Sequence, residues 1–500
     1  MRRAALIACL VLAALGAAGE ARAGGFMIKE HSALATGMAN ARTALWDDPS
    51  SLFFNPAAIT QLEGFQISLG DTLIFPSITY DPSMTTCPTD SPDPSDSCGL
   101  STKGEFKVFT PLHVYFTARI TNWLAAGISL NNPFGLGTFW PEGWDGRYTA
   151  YQTDLKTFFV QPSVAVDFAR LAHMSDDVSL SFALTGYYVH GVALIKQKVD
   201  SAPFFPEATC PGCEAEMTME GDGNSGGYGF ALFAAWKPWV SFGASVRSNV
   251  PLHFAGTASF TAPAEPWADT MRALGIFPES TPGSTDIELP WNMNFGLAFH
   301  GLRKWTFAAD LYVELWESYD ELKVHFECSE DGSCAGVLNE EAVYPKKWST
   351  AIQASFGTEY RPIEAIAVRL GAAYVSDPTH PDYYDAMLPD GDRLLLTAGF
   401  GYRAPKYFKV DLGYMFAYWR GVKDNDVGAE DPGQRNGLAN GTYTTATHLL
   451  AITLGFSFGG PHKGVPQTLD SRPDPKRPAV LPAPTAEPIA SEPAAVTGSI

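Results

Sequence analysis

The sequence predicts an all-β fold, a 14-stranded antiparallel transmembrane β-barrel with an N-terminal hatch (plug) inside its lumen. From Phe65 to Phe458, about fourteen segments alternate apolar and polar residues, which is the pattern of strands with one lipid face and one lumen face. Long and short gaps alternate between these segments, as in bacterial barrels with long outer loops and short periplasmic turns.

Residues 1–23 predict an export signal that is removed before Gly24. They combine Arg2 and Arg3 with an apolar run and the small-residue site Ala21-Arg22-Ala23. We therefore expect the mature chain in the periplasm or beyond. The formal net charge of −20 argues against a nucleic-acid partner.

Residues 24–63 are too few for a domain and too apolar for a free tail. A barrel of this size leaves a wide lumen that leaks solutes unless it is filled, so we expect this segment to be the hatch. Asn55 can tie the backbone and Pro56 fixes φ, which predicts either a rigid turn or a moving contact. The hatch residues singled out are Phe26, Asn55, Pro56 and Ala57.

Residues 64–458 are assigned to the barrel. The last strand is the clearest, with Leu450, Ile452 and Leu454 on one face and small or polar residues on the other. Residues 240–254 are expected to form one strand with a single apolar face. A soluble sandwich shares the alternation, and the gap pattern favours the barrel. Short turns are predicted near 121, 169–177, 237–238, 300–303, 361–362 and 404–405, and long loops at 81–104, 132–153, 199–225, 261–284, 326–346, 377–390 and 421–445.

Six of the seven cysteines follow Gly24 and fall in three close pairs within long loops. We expect three local disulfides. A redox or metal site at Cys210-Pro211-Gly212-Cys213 is the alternative, although it has no second pair or flanking histidine, and no cofactor or metal is expected. The pairs are Cys87–Cys98, Cys210–Cys213 and Cys328–Cys334. Residues 459–500, rich in Pro and Ala, predict a disordered periplasmic tail.

Ordered motifs from Gly25 to Phe458 resemble the outer-membrane long-chain fatty acid transporters, the FadL-type family. Three departures are His31 in place of the usual Gln, the loop cysteines, and a chain that continues past Phe458. The hatch motifs are Gly25-Phe26, Glu30-His31-Ser32, Ala39-Asn40-Ala41, Asp47-Asp48-Pro49-Ser50 and Phe53-Phe54-Asn55-Pro56-Ala57. The barrel motifs are Asn132-Pro133-Phe134-Gly135-Leu136-Gly137-Thr138, Trp144-Asp145-Gly146-Arg147-Tyr148, Leu155-Lys156-Thr157, Leu289-Pro290 and His448-Leu449-Leu450.

The resemblance implies a non-enzymatic channel in the outer membrane of a Gram-negative bacterium. Long-chain fatty acids or similar hydrophobic molecules would be taken up passively, and outer-membrane lipid would surround the barrel, which we expect to be a monomer. The implied steps are capture on the outer loops, binding in a lumen pocket, hatch rearrangement and lateral release beside a kinked third strand. An aromatic hydrocarbon channel of the same family is the alternative.

An unusually apolar loop supplies the candidate capture groove, with packing of that loop against the barrel as the alternative. The groove residues are Phe134, Leu136, Phe139, Trp140 and Trp144. Gly127 is the candidate lateral gate, because a glycine inside a strand permits a kink. The alternative is that Gly127 relieves crowding.

A carboxylate head group would need a lumen cation. Strand parity suggests that five basic residues point inward, and Arg147 is a sixth candidate. Alternatively these cations pair with inward carboxylates and hold the hatch to the wall. The cations are Arg147, Lys156, Arg247, Arg369, Arg393 and Lys409, and the carboxylates are Asp310, Glu314, Glu359 and Asp411.

Two function classes compete with transport. A lipid hydrolase would need a Ser/His pair and an acid. His113, His190 and His253 are expected to face inward, and serine is plentiful. A diffusion pore or structural barrel would differ in whether the lumen is plugged and small ions pass.

Overall fold

The computed structural model describes residues 24–83, 100–200, 214–261, 279–327, 341–404, 408–425 and 439–459. Over this part of the chain, one antiparallel sheet closes on itself. Its first strand pairs with its last from Phe65↔Phe458 to Pro82↔Gly441. The result is a closed barrel of 14 antiparallel strands, which confirms the predicted fold. The export signal, the three cysteine pairs and the tail beyond Gly459 lie outside the described residues.

Twenty β segments build the sheet. Four barrel strands consist of two segments each, β9 with β10, β11 with β12, β13 with β14 and β15 with β16, while β2 and β5 are short additions. The segments are β1 (Phe65–Pro82), β2 (Thr102–Lys103), β3 (Leu112–Arg119), β4 (Leu124–Asn131), β5 (Gly135–Phe139), β6 (Gln152–Asp167), β7 (Val178–Asp200), β8 (Glu214–Trp236), β9 (Val240–Arg247), β10 (Val250–Thr261), β11 (Ser280–Leu289), β12 (Trp291–Leu302), β13 (Trp305–Leu315), β14 (Glu321–Phe326), β15 (Glu341–Pro345), β16 (Ala351–Ile363), β17 (Ile366–Val375), β18 (Arg393–Arg403), β19 (Phe408–Lys423) and β20 (Gly441–Phe458).

Among the described residues, helical structure is confined to short pieces. None of the helices in the described ranges is long and apolar enough to cross a membrane. The α-helices are α1 (Ala33–Thr36), α2 (Ser51–Phe54) and α3 (Phe168–Leu171), and the 3₁₀ turns span Pro56–Gln61, Trp316–Ser318 and Pro381–Tyr383.

The period of two places apolar side chains outside and small or polar ones inside. In β20, Leu450 and Ile452 are 48% and 44% exposed, whereas Ala451 and Thr453 are fully buried. Connections at one end are short, with β3 and β4 joined by residues 120–123, while those at the other end are long. The predicted alternation of short and long gaps is therefore confirmed, but residues 214–225, which were predicted as part of a long loop, belong to β8.

The prediction of one strand with one apolar face over residues 240–254 is wrong. The strand breaks at Ser248 and Asn249, between β9 and β10, and its phase reverses there. Ser241 and Ser245 face inward below the break, whereas Leu252 and Phe254 are buried in the lumen above it. The interruption puts two residues between consecutive inward positions, where an unbroken strand has one. The alternation therefore shifts by one position, which exchanges the lumen face and the lipid face of the strand.

The same reversal occurs in the next barrel strand, between β11 and β12. In the barrel strand after it, the inward residues change from mostly polar in β13 to apolar in β14 without a change of phase. The lumen therefore changes character along its axis. Near the short-turn end the inward side chains are polar. Towards the long-loop end they are apolar. The polar set is Ser241, Ser245, Arg247, Asn292, Asn294, Asp310 and Glu314, and the apolar set is Val250, Leu252, Phe254, Ile287, Leu289, Leu322, Val324 and Phe326.

The segment before β1 packs against the inner face of the barrel and is called the hatch below (residues 24–62). Ser32 caps α1 by accepting the Leu34 N–H. The Ala33 N–H donates to Thr453 Oγ1 over 2.9 Å. A Cβ at Gly243 would lie 2.0 Å from the Thr43 carbonyl oxygen, so this glycine lets the hatch backbone approach the wall.

Candidate functional site

A cavity of about 650 Å³ lies between the start of the hatch and the long-loop half of the barrel. Its volume is in the usual range for small-molecule sites, roughly 300–1,000 Å³. Aromatic and aliphatic side chains dominate the lining. Its rings are Phe26, Phe109, Phe134, Phe139, Phe158, Trp348 and Trp419.

The barrel wall is interrupted beside this cavity. Residues 104–111 approach β1 through the bridge between Ile74 and Phe109 and approach β5 through the hydrogen bond from Glu105 N–H to the Phe139 carbonyl oxygen. No ladder joins 104–111 to β5 in the part of the chain that the structure describes. The wall here consists of side-chain packing and isolated hydrogen bonds.

The cavity lining includes residues from both faces of β6. Leu155 and Thr157 belong to its buried, lumen-directed face. Lys156 and Phe158 belong to the opposite face, and the Lys156 side chain is 57% exposed. The cavity therefore reaches through the wall where the ladder is interrupted, and it is not confined to the lumen.

The first residues of the hatch form one side of the cavity. Gly135 N–H donates to the Phe26 carbonyl oxygen over 3.1 Å, and Ile28 N–H donates to Pro133 over 2.8 Å. The Phe26 ring lies 4.5 Å from the ring of Trp316 and 6.2 Å from that of Phe134. A shift of the hatch would therefore change the shape of the cavity directly.

The predicted capture groove is divided in the structure. Phe134, Leu136 and Phe139 line the cavity. Trp140 and Trp144 instead stack on each other, with ring centroids 4.4 Å apart, in a separate buried cluster with Tyr80 and Tyr443. For these two tryptophans, the geometry matches the alternative of loop packing.

Two of the predicted cations line the cavity. Arg393 donates to Asp390 over 2.7 Å and to the Gly25 carbonyl oxygen over 2.8 Å. Lys156 also lines it, but its predicted inward orientation is wrong: it points away from the lumen and contacts Asp154 at 2.6 Å. The parity of β6 was ambiguous because apolar residues occupy both of its faces.

Arg369 and Lys409 lie in the lumen far from the cavity lining, and both bind carboxylates. Arg369 bridges Glu359 and Asp411 at 2.7 Å each, and Lys409 contacts Asp48 of the hatch. Asp310 accepts the backbone N–H groups of Arg42 and Thr43 at 2.8 and 2.7 Å. Lys409 and Asp310 thus tie the hatch to the wall, as the alternative for the inward charges expected. Arg369 instead joins three wall strands to one another.

Ion pairs also set the protonation of the hatch carboxylates. Burial opposes the ionisation of Asp47, but Arg42, Arg361 and Lys409 outweigh it and lower the pKa of Asp47. Burial likewise opposes the charge of Asp48, and Lys409 outweighs it, so the pKa of Asp48 is also lowered. Both carboxylates are therefore anionic near neutral pH when the hatch is docked in the barrel.

Arg247 and Arg147 also lie away from the cavity lining. The Arg247 guanidinium is buried, donates to the Phe53 carbonyl oxygen and lies 4.1 Å over the Phe53 ring. Arg147 pairs with Glu214 at 2.8 Å and lies in the loop that contains Trp140 and Trp144.

Gly127 lies on an uninterrupted part of β4, paired with Thr117 and Ser163 without a register shift. A Cβ there would lie 2.8 Å from Leu52 Cδ2, so the glycine makes room for the hatch. Its role as a lateral gate stays a prediction.

The predicted inward orientation is also wrong for His190 and His253. His190 bonds to Asn224 on the outer face, and the His253 side chain is 63% exposed beside Asp286.

Asn55 holds the hatch turn in place. Its side-chain amide donates to the Thr43 and Leu232 carbonyl oxygens, each over 2.9 Å, and its Oδ1 accepts the Ala57 N–H. Pro56 and Ala57 begin the 3₁₀ turn that follows and are buried.

Several lining residues were missed by the sequence reasoning: Met27, Lys29, Phe109, Trp348 and Trp419. Lys29 could have been noticed as a cation inside an apolar segment. Phe109 belongs to a stretch without alternation, where strand parity gives no direction. Trp348 and Trp419 lie more than two hundred residues from the hatch, and only closure of the barrel brings them to it.

Comparison with known proteins gives a consistent result along nearly the whole chain. A family model described as "Outer membrane protein transport protein (OMPP1/FadL/TodX)" matches residues 14–458. Outer membrane protein P1 of Haemophilus influenzae is 24% identical over 481 residues, which are 90% of this chain and 98% of that protein. The long-chain fatty acid transport protein of Salmonella typhi is 23% identical over 434 residues, covering 81% of this chain and 90% of the relative.

Solved structures show the same architecture. The crystal structure of a Pseudomonas aeruginosa FadL homologue aligns with a TM-score of 0.68 at 19% identity, covering 87% of this chain and 100% of the other. The P. putida toluene transporter TodX aligns with a TM-score of 0.61 at 14% identity, covering 88% and 100%. At these identities the likeness shows the fold.

Proposed function

The chain belongs to the OMPP1/FadL/TodX family of outer-membrane transport proteins, and on that premise we propose that it takes up hydrophobic small molecules through the cavity described above. The molecule would enter from the long-loop side and bind among the aromatic rings. It would leave sideways into the outer membrane. The chain itself would supply no chemistry, because the gradient of the solute drives passive uptake.

The observation that carries the proposal is the cavity that passes from the lumen to the outward face of β6. Moving a hydrocarbon from water into an apolar site is favourable by about 0.8 kcal/mol per CH₂ group. A path that stays apolar from the lumen to the lipid retains this gain at each step. A water-filled pore would lose it.

The interrupted wall between residues 104–111 and β5 is the proposed exit. Its few backbone hydrogen bonds can part without opening a strand ladder, so lateral release there costs less than at Gly127. Movement of Phe26 and Ile28, which bond to 133–135, would couple the hatch to this exit. The rearrangement that release requires would thus be confined to the start of the hatch.

Binding can be tested by tryptophan quenching, because Trp348 and Trp419 line the cavity. We expect a brominated hydrocarbon to quench the purified protein saturably and an unbrominated analogue to reverse it. Phe134→Ala should weaken binding about tenfold, since a buried ring contributes roughly 1.5–3 kcal/mol. Phe233→Ala is the matched control, because Phe233 is equally buried but packs on Trp46 away from the cavity.

Absence of saturable quenching in the wild type, together with high conductance in planar bilayers, would contradict the proposal and favour a diffusion pore. Equal weakening by both substitutions would show that the loss reflects general destabilisation.

A further inference from the structure

The charges that line the cavity are arranged in pairs. Each of its four described cations contacts a carboxylate. The pairs are Lys29–Glu314 at 2.5 Å, Lys107–Glu105 at 3.5 Å, Lys156–Asp154 at 2.6 Å and Arg393–Asp390 at 2.7 Å.

A further carboxylate, Glu30, also lines the cavity. It accepts hydrogen bonds from the Asn40 amide over 2.8 Å and from the Lys29 N–H over 3.1 Å. The described lining therefore contains as many carboxylates as cations, and Glu314 adds one more negative charge behind Lys29. A carboxylate ligand would meet no surplus of positive charge.

The two cations deepest in the protein are the least available. Lys29 and Glu314 are both buried, with side chains 5% and 3% exposed. Arg393 uses two nitrogens on Asp390, donates to the Gly25 carbonyl oxygen and lies 4.7 Å over the Trp419 ring. Diverting either cation to a ligand would leave Glu314 or Asp390 with an unpaired buried charge, which is strongly unfavourable.

We propose that the ligand of this cavity is an uncharged hydrophobic molecule and that ionised fatty acids are discriminated against. This inference rests on the proposed transport function and narrows its substrate class. The aromatic lining suits such a ligand, because rings offer contact area without requiring a charged partner. The paired charges stabilise the structure of the site and leave the net charge of its lining close to zero.

The test compares ω-bromoundecanoate with its methyl ester, which lacks the charge and carries one more methyl group, at about pH 8, where the free acid is ionised. Quenching of the purified protein is measured against the free ligand concentration, fixed by equilibrium dialysis. We expect the ester to bind at least about tenfold more tightly than the carboxylate.

A variant should largely remove this preference. Glu105→Gln combined with Asp154→Asn removes the partners of Lys107 and Lys156, so the ratio of carboxylate to ester affinity should rise about tenfold. The control is Asp320→Asn, which removes the partner of Lys347 outside the cavity and should leave the ratio unchanged.

Carboxylate binding equal to or tighter than ester binding in the wild type would overturn the inference while leaving the transport proposal in place. Failure of both ligands to bind would overturn the two together. An unchanged ratio in the double variant would also count against it, because the paired carboxylates would then not be the cause of the discrimination.

Discussion

Gly137 shows how one absent side chain shapes the cavity. It lies on β5, and a Cβ there would come within 2.1 Å of Phe109 Cε1 and 2.2 Å of Cζ. Phe109 therefore packs directly on the Gly137 backbone, where it helps to close the interrupted wall. The glycine is needed here for close approach.

Gly137→Ala should push the Phe109 ring into the cavity and weaken ligand binding by about 1–3 kcal/mol, the usual cost of overpacking. Binding by tryptophan quenching measures the effect. Gly186→Ala is the control, because a Cβ there meets nothing within 4 Å. Equal affinities of Gly137→Ala and wild type would show that Phe109 does not border the bound ligand.

Asp377 makes the loop between β17 and β18 sensitive to pH. Burial, followed by the negative charges of Asp390 and Asp392, raises the pKa of Asp377 to about 7. A raised carboxylate pKa favours the protonated folded loop. The stability that it contributes is present below the ordinary Asp pKa and is lost as the pH rises towards about 7.

We therefore expect the loop around residues 376–392 to exchange amide hydrogens faster at about pH 8 than at about pH 5, after correction for intrinsic exchange. Asp377→Asn should remove most of this difference, because the amide stays neutral. A difference that persists in the variant would place the titrating group elsewhere.

At the scale of elements, the hatch turn depends on the side chain of Asn55. This residue joins the hatch to itself through Thr43 and to the wall through Leu232, and it caps the 3₁₀ turn at Ala57. When a buried amide of this kind is removed, its hydrogen-bond partners are left unsatisfied. The protein is then destabilised by the full desolvation penalty of those partners.

Asn55→Ala should destabilise the docked hatch by about 1–3 kcal/mol and leave the barrel folded. The expected readout is faster proteolysis within residues 24–62 and more frequent current bursts in planar bilayers. Asn224→Ala serves as control, since Asn224 bonds to Tyr188 and His190 on the outer face. Matching burst rates for the two variants would exclude a holding role for Asn55.

The elements that were predictable from sequence are those with a sustained period of two. The faces of β20 were predicted correctly because one pattern repeats along the strand without a break. The faces of β10 were not predictable in this way, because the two residues 248–249 reverse the phase without a Gly or Pro to mark the break. The position of β5 depends on pairing with β6 in place of β4, which no local pattern reveals.

On the scale of the whole molecule, buried ion pairs join the hatch to β16 and β19. Arg42 and Asp47 pair within the hatch, Arg361 approaches Asp47 at 3.6 Å, and Lys409 pairs with Asp48. The pKa values of both aspartates are lowered, so their contribution to docking is present above the ordinary Asp pKa and is lost as the pH falls below it.

Acidification below about pH 4 should therefore loosen the hatch before the barrel unfolds. Conductance in planar bilayers should rise reversibly, while the β signal in circular dichroism stays constant. Asp48→Asn should show part of this rise already at neutral pH, because Lys409 loses its charged partner. Conductance that is independent of pH down to barrel unfolding would contradict this role of the ion pairs.

The phase reversal at β10 and β11, together with the apolar inward face of β14, has an electrical consequence. It lines the long-loop half of the lumen with Leu252, Phe254, Leu289, Val324 and Phe326. Hydrophobic constrictions of this kind tend to dewet, and a dry stretch is a high barrier to ions. The barrel thus possesses an apolar layer in series with its hatch, which would limit the ion current that a loosened hatch admits.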